Sequence, residues 1–268
     1  MRKTGIRVCF HFAARKMLFR REKGMPRMIK RLALAIGLVL FISSACGRTA
    51  AEGPGQSKPA PTVTLTPTPS PAQILAAAGD AMLAMQSARF TLVHEGGPVM
   101  IDSTTGMGFT EAAGEYQAPD RVSAKAKVTF FGNVLELEIF WLPEGTYLLN
   151  PLTHQLETAP ANMGIDGAAL FSADGIPAAL STGIQNPQRI GDESIEGVRT
   201  IHISGEADGA VLAPLMAGAL ESGTLYPVDA WIDESTYDLV RFHITEPDGN
   251  GWLIDIFDID EPIEIQKP

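Results

Sequence analysis

The hydrophobic positions of this chain change their spacing twice. Residues 32–42, LALAIGLVLFI, run without a polar side chain. Over residues 72–89, AQILAAAGDAMLAMQSAR, apolar residues recur at helical spacing, with Ile74, Leu75, Ala78, Met82 and Met85 on one face. Pro71 suits the entry to that helix, because a first-turn proline gives up no helical hydrogen bond. From Phe90 onward the period moves toward two, the spacing of half-buried strands. The pattern predicts strands over 90–94, 145–150, 198–205, 227–233, 239–245 and 251–258, separated by turn signals such as Glu196-Gly197.

The clearest alternation is KAKVTFFGNVLELEIFWL, residues 125–142. Gly132-Asn133 is predicted as its two-residue turn, with glycine first as a type II′ turn requires. That register sets Phe130 opposite Leu135 and Lys127 opposite Glu138. Ala126, Val128, Phe130, Leu135, Leu137 and Ile139 then share an apolar face, and Lys125, Lys127, Thr129, Glu136 and Glu138 a wet one. Residues 161–180 and 210–220 are apolar but irregular, and they read as short helices, the second alternatively as a flap. The expected fold is α+β: one antiparallel meander, one amphipathic helix before it, and short apolar helices inserted mid-chain.

The apolar run 32–42 changes the picture at the amino terminus. Its 11 residues are too few to span a bilayer, which takes ~20. Preceded by the basic start Met28-Ile29-Lys30-Arg31 and followed by Ser43-Ser44-Ala45, it reads as a secretion signal over residues 1–45. Residues 1–27 add a second basic segment, so Met25 or Met28 is a candidate start; the alternative is a long basic region. Cys46 follows at once, and the segment resembles the bacterial lipoprotein signal, in which the cysteine after the cleavage site is acylated. It departs from that pattern in carrying Ser43, rather than leucine, three residues before the cysteine. The alternative is a plain secretory signal with Cys46 incidental. Residues 47–71 are rich in Pro, Thr, Ser, Gly and Ala and predict a tether reaching roughly 75 Å at ~3.1 Å per residue. The folded domain is expected over 72–268.

Charge excludes one class of partner. Residues 1–45 hold 11 of the 21 Lys+Arg and one acid, which leaves 10 basic and 30 acidic residues, a net charge of −20. Phosphate backbones repel such a body, so no nucleic-acid partner is expected. Candidate chemistry adds little. Cys9 and Cys46 form no metal-ligand spacing, and no nucleophile elbow, zinc-protease, phosphate-loop or dinucleotide motif occurs. Ser172 and Ser181 have no local activating partner. Asp255, Asp258, Asp260 and Glu261 lack calcium-loop spacing and read as a solvated strand end. His94, His154, His202 and His243 read as surface residues; Trp141, Trp231 and Trp252 read as packing residues or a rim. No metal, no cofactor and no enzymatic activity are expected.

Four segments, in order, resemble the LppX/LprG group of envelope lipoproteins: ILAAAGDAMLAMQSARF, AAGEYQAPDRVSAKAKV, NPQRIGDESIEGVRTIHISGEA, and VDAWIDESTYDLVRFHI before an acidic strand ending at Pro262 and Ile265. The fold is also similar to the LolA/LolB lipoprotein carriers. The resemblance implies a curved half-barrel sheet with helices on one side and an apolar cavity for acyl chains, in a non-enzymatic carrier of lipid or glycolipid. It implies attachment to the extracytoplasmic face of the membrane through acylated Cys46, and a monomer with a membrane transporter as a candidate partner. The candidate wall is Val128, Phe130, Leu135, Leu137 and Ile139; the candidate mouth or lid is Met163, Phe171, Leu212, Leu215 and Met216. The alternative is a tethered envelope interaction module whose core its own side chains fill.

Overall fold

The computed structural model describes residues 68–102, 106–151, 153–159, 166–213, 216 and 219–268. Helix α1 (Pro71–Ala84) starts in a capping box: the Gln73 N–H donates to Ser70 Oγ at 3.3 Å, and the Ser70 N–H donates to Gln73 Oε1 at 2.8 Å. The helix ends five residues before the expected Arg89. Met85 is already extended, and Ser87 to Arg89 open strand β1 (Ser87–His94), where neighbours on both sides claim them. Ser87 pairs with Gln117, and Arg89 pairs with both Glu115 and Phe257.

Among the described residues the sheet has 12 strands, every pairing antiparallel. β1 lies mid-sheet, between β3 (Met107–Gln117) and β12 (Gly251–Phe257). On one side β4 (Arg121–Phe130), β5 (Asn133–Leu142), β6 (Gly145–Leu149) and β7 (Leu156–Thr158) step outward. On the other side the order runs β11 (Leu239–Thr245), β10 (Leu225–Asp233), β9 (Val198–Asp208) and β8 (Ile184–Ile195). β2 (Val99–Asp102) adds to β3. The two ends, β7 and β8, do not pair with each other, so the sheet is open.

The β4–β5 hairpin corrects the expected register. Phe131 and Gly132 form the loop, with φ of 47° and 78°, and Phe130 pairs with Asn133. Positive φ at both loop residues is the type I′ geometry, whose twist matches that of the flanking strands. Every pair moves by two residues: Val128 faces Leu135, Lys127 faces Glu136 and Lys125 faces Glu138. A shift of two keeps each side chain on its face, so apolar and wet sides stand as expected. Glu196-Gly197 makes the same kind of loop between β8 and β9, with φ of 49° and 94°.

Strands β2, β3, β7 and β8 lie outside the expected set. β8 has no alternation because neither of its faces is covered; Pro187, two register shifts and charged residues break this edge up. In β3 the run Ala112-Ala113-Gly114 dilutes the hydrophobic signal.

Short helical pieces occupy the irregular segments: a 3₁₀ turn (Gly167–Leu170), helix α2 (Ile176–Ala178), a π turn (Ala179–Gly183) and helix α3 (Gly209–Leu212). With α1 they cover one face of the sheet, the inner face, and its apolar residues join theirs in one cluster. Gly79 allows the close approach of α1 to this layer, since a Cβ there would stand 2.1 Å from Ser181 Oγ and 2.9 Å from the Pro177 carbonyl. On the outer face the C-terminal tail places Ile265 against Phe140 and Leu142. The Ile265 N–H donates to Gln117 Oε1 at 2.9 Å, and Arg121 donates to the Ile265 carbonyl at 3.2 Å.

Candidate functional site

The inner face is apolar across its central strands, but its relief is uneven. Across β3, β4 and β5, Ala112 pairs with Ala126 and Ala126 with Leu137; Gly114 pairs with Ala124 and Ala124 with Ile139. On the other side of β3, Leu92 faces Ala112 and Phe90 faces Gly114. A trough floored by four small residues therefore runs between Phe90 and Leu92 on one bank and Leu137 and Ile139 on the other. Its signal in the sequence is the alanine and glycine of AAG and SAKAK, which read as weak strand formers rather than as a shape. Two aromatic rings lie over the trough end. A Cβ on Gly114 would meet Phe90 Cζ at 2.7 Å, and Phe171 packs edge-on to Phe90 (5.3 Å) and stacks on Tyr116 (4.4 Å).

The expected wall residues fall on this face. Val128, Leu137 and Ile139 are buried in the central cluster, Leu135 packs against it, and Phe130 is half-buried against Phe131. Of the expected lid residues, Phe171, Leu212 and Met216 are buried in the same cluster, whereas Met163 and Leu215, like Cys46, lie outside the described residues. The interior is packed. Val128, Ile139, Leu180, Leu212 and Met216 are each at most 1% exposed, so the expected cavity is not open against them. A groove of about 390 Å³ marks one place where cover meets wall, between Leu83 of α1, Met85 just beyond it, Tyr116, Pro119 and Phe171.

The cover is built from pieces of 3 to 5 residues apart from α1. Helices this short have no stability of their own and hold their shape only through packing. Segment 209–223 is also tied at its neck. The Asp208 carboxylate accepts the N–H of Ala210 (2.7 Å) and of Gly223 (3.0 Å), and the Glu221 N–H donates to the Tyr226 hydroxyl at 2.9 Å. The two backbone N–H groups hold the Asp208 carboxyl below its ordinary value. A depressed folded pKa stabilises above the unfolded value and the benefit is lost as pH falls through the folded one. Asp208→Ala is therefore expected to raise proteolytic nicking within 209–223 at pH 7. In hydrogen exchange the difference between variant and parent should shrink below the ordinary Asp range and vanish only once pH has fallen through the lowered value of the folded carboxyl.

The outer face is chemically different. Arg241 makes a bidentate pair with Asp255 at 2.5 and 3.0 Å, and Arg89 reaches Asp258 at 2.8 Å. Asp260 accepts the Gln86 N–H, so these carboxylates serve ion pairing and backbone capping. His202 lies between Glu193 (2.8 Å) and Asp229 (2.9 Å) and stacks beneath Trp231. Trp231 donates to Glu193 at 2.9 Å, and with His202 it lowers the Glu193 pKa. A cleft of about 550 Å³ opens on this face, lined by Asp233, Asp238, Arg241 and Asp255 along with Val240 and Phe257. It is the larger of the two volumes, and its lining mixes these charged groups with Ile195, Val198 and Ile259; a hydrocarbon chain there would strip water from the Arg241–Asp255 pair and its neighbouring carboxylates.

His94 departs from the surface reading. It is 7% exposed and lies on the inner face, with Nδ1 2.7 Å from the Gly97 carbonyl and Nε2 3.2 Å from Glu246 Oε2. The other Glu246 oxygen accepts Trp252 Nε1–H at 2.9 Å. Trp252 stacks on Phe109 and tilts against His94. This polar knot closes the inner face at the end of β1 and β12.

Comparison with known proteins agrees with this architecture. Residues 70–265 match the family described as LppX_LprAFG lipoprotein. A protein named putative diacylated glycolipid transporter LprF, from Mycobacterium tuberculosis and Mycobacterium bovis, is 28% identical over 102 residues, 35% of this chain. That match spans 39% of the relatives' own length. Among solved structures, LprF from Mycobacterium bovis superposes with a TM-score of 0.62 at 22% identity, covering 75% of this chain and 98% of that one. LppX from Mycobacterium tuberculosis gives 0.54 at 21% identity, covering 73% and 98%. At such identities the structural likeness is one of fold, and it extends to the open antiparallel sheet with few helices. By the match across 70–265, the chain belongs to the LppX_LprAFG lipoprotein family.

Proposed function

We propose that this protein is an extracytoplasmic lipoprotein, tethered through acylated Cys46 and residues 47–71, that carries lipid or glycolipid between the inner sheet face and its helical cover. The observation that carries the reading is the small-residue trough, Ala112, Gly114, Ala124 and Ala126, beneath a cover of short helical pieces. When Phe171 and the 209–223 segment move aside, the trough and its banks, Val128, Leu135, Leu137 and Ile139, form a bed for acyl chains. Phe130 continues that bed toward the hairpin. Leu212 and Met216 belong to the cover, and the sequence alone assigns Met163 and Leu215 to it. Binding is non-covalent.

The energetics suit a carrier. Two acyl chains gain more than ~20 kcal/mol on leaving water, at ~0.8 kcal/mol per methylene. A membrane lipid starts in hydrocarbon, however, so the interior needs only to match the bilayer to within a few kcal/mol. The packed interior gives the closed form a core of its own, and lipid replaces contacts between cover and wall.

That same packing favours a second reading, an envelope interaction module that never opens. Native mass spectrometry of the protein, incubated with vesicles and then separated from them, distinguishes the two. A carrier shows an added mass of one acyl lipid that exchanges with fresh vesicles; a module stays at its polypeptide mass.

A further inference from the structure

One corner of the sheet lacks charge in a strongly acidic molecule. Residues 96–101, 106–110 and 128–135 carry no Asp, Glu, Lys or Arg. The register brings the three segments together: Met100 pairs with Gly108, Gly108 with Thr129, and Thr129 with Val134. Charge returns at the border, at Asp102 opposite Met107 and where Lys127 pairs with Glu111 and lies opposite Glu136. The corner is apolar and turned to solvent: Phe131 is 78% exposed, Val134 68% and Met100 58%.

Phe131 is unfavourable in isolation on two independent counts. Its ring is exposed, and its backbone has φ of 47°, a region that a bulky residue rarely adopts and that the first position of a type I′ loop normally fills with Asn, Asp or Gly. Outliers of this kind collect where function holds them. Phe130 packs against Phe131 at 4.4 Å, and its own strand carries the inner face onward through Val128 and Ala126. The apolar tip is thus continuous with the interior wall.

We propose that the β4–β5 tip, Phe131 with Val134 and Met100, dips into the interfacial layer of a lipid bilayer. Aromatic and apolar side chains at a loop tip partition into that layer, and the β4–β5 tip, residues 128–135, carries no charge to desolvate on entering it. The acidic body disfavours an anionic surface, so a zwitterionic one is the better partner. Such seating keeps the domain at the bilayer from which a carried lipid comes. The proposal builds on the carrier reading, but it has a separate readout.

The test uses the full chain with Cys46→Ser, which removes the acyl anchor, and phosphatidylcholine vesicles. In that background Phe131→Trp is expected to shift its emission to the blue on adding vesicles. Bromine-labelled acyl chains should quench it, after subtraction of the three native tryptophans. Phe131→Asn creates the favoured Asn-Gly loop, so its Tm should equal or exceed the parent's, while vesicle affinity falls by about tenfold, ~1.4 kcal/mol. Unchanged Trp emission with vesicles, or undiminished binding by Phe131→Asn, would overturn the proposal and leave the tip to a protein partner. Uptake of detergent-dispersed lipid, read by native mass spectrometry, should be the same in Phe131→Asn and parent. Quenching at position 131 without lipid uptake in either protein supports the tip and contradicts the carrier reading.

Discussion

Ala126→Phe is expected to reduce lipid uptake by more than tenfold. Ala126 is 3% exposed and sits mid-trough, between Ala112 and Leu137. A phenyl ring there fills the groove that the small residues leave. It overpacks the closed state as well, at a cost of about 1–3 kcal/mol. Ala230→Phe, on β10, supplies the control, because it adds the same bulk at a buried inner-face position outside the trough and its banks. The carrier account expects both variants to lose stability and Ala126→Phe to lose more lipid. Equal uptake by Ala126→Phe and the parent, measured by native mass spectrometry after vesicle exposure, would remove the trough from the account.

Glu246→Leu is expected to cost more stability than either bulky substitution. It strips the acceptor from Trp252 Nε1–H, in a side chain 2% exposed, and removes the partner of His94 Nε2. Two buried polar groups left without partners cost about 1–3 kcal/mol each. For a domain of this size each kcal/mol shifts Tm by roughly 2–4 °C, so a fall on the order of 10 °C is expected in a thermal melt. Glu246→Gln keeps an oxygen for Trp252 and should cost less than half as much. Similar melting points for the Leu and Gln variants would show that the knot is solvated rather than closed.

The two apolar periods made much of the fold legible. Helix α1 announced its buried face, though not its end, because Ser87 to Arg89 are equally tolerable in a helix and only pairing on both sides makes them a strand. Strand β10 alternates cleanly, and β9, β11 and β12 alternate over most of their length, because one face is covered and the other carries ion pairs. β8 was illegible for the opposite reason: uncovered on both faces, it has no pattern to read. The β4–β5 turn misled through composition. Gly132-Asn133 and Phe131-Gly132 are both two-residue loops by spacing, and the even shift between them leaves the faces unchanged, so alternation cannot choose.

The candidate site was half legible. The apolar wall could be read from the alternation at Val128, Leu137 and Ile139, but hydrophobicity alone does not separate a packed core from a bed for lipid. The trough escaped because its residues are small: alanine and glycine at Ala112, Gly114, Ala124 and Ala126 weaken a strand signal where they shape a surface. The neck at Asp208 escaped because it joins residues 15 positions apart through a loop.

Where an acyl chain lies can be seen directly. A crystal of the protein loaded with bromine-labelled lipid would show anomalous peaks wherever the tail runs. The carrier account predicts peaks in van der Waals contact with Ala112, Ala124 and Ala126, and the Phe171 ring drawn away from its 4.4 Å stack on Tyr116. Peaks confined to the outer-face cleft beside Arg241 and Asp255, with the inner face still packed, would contradict it.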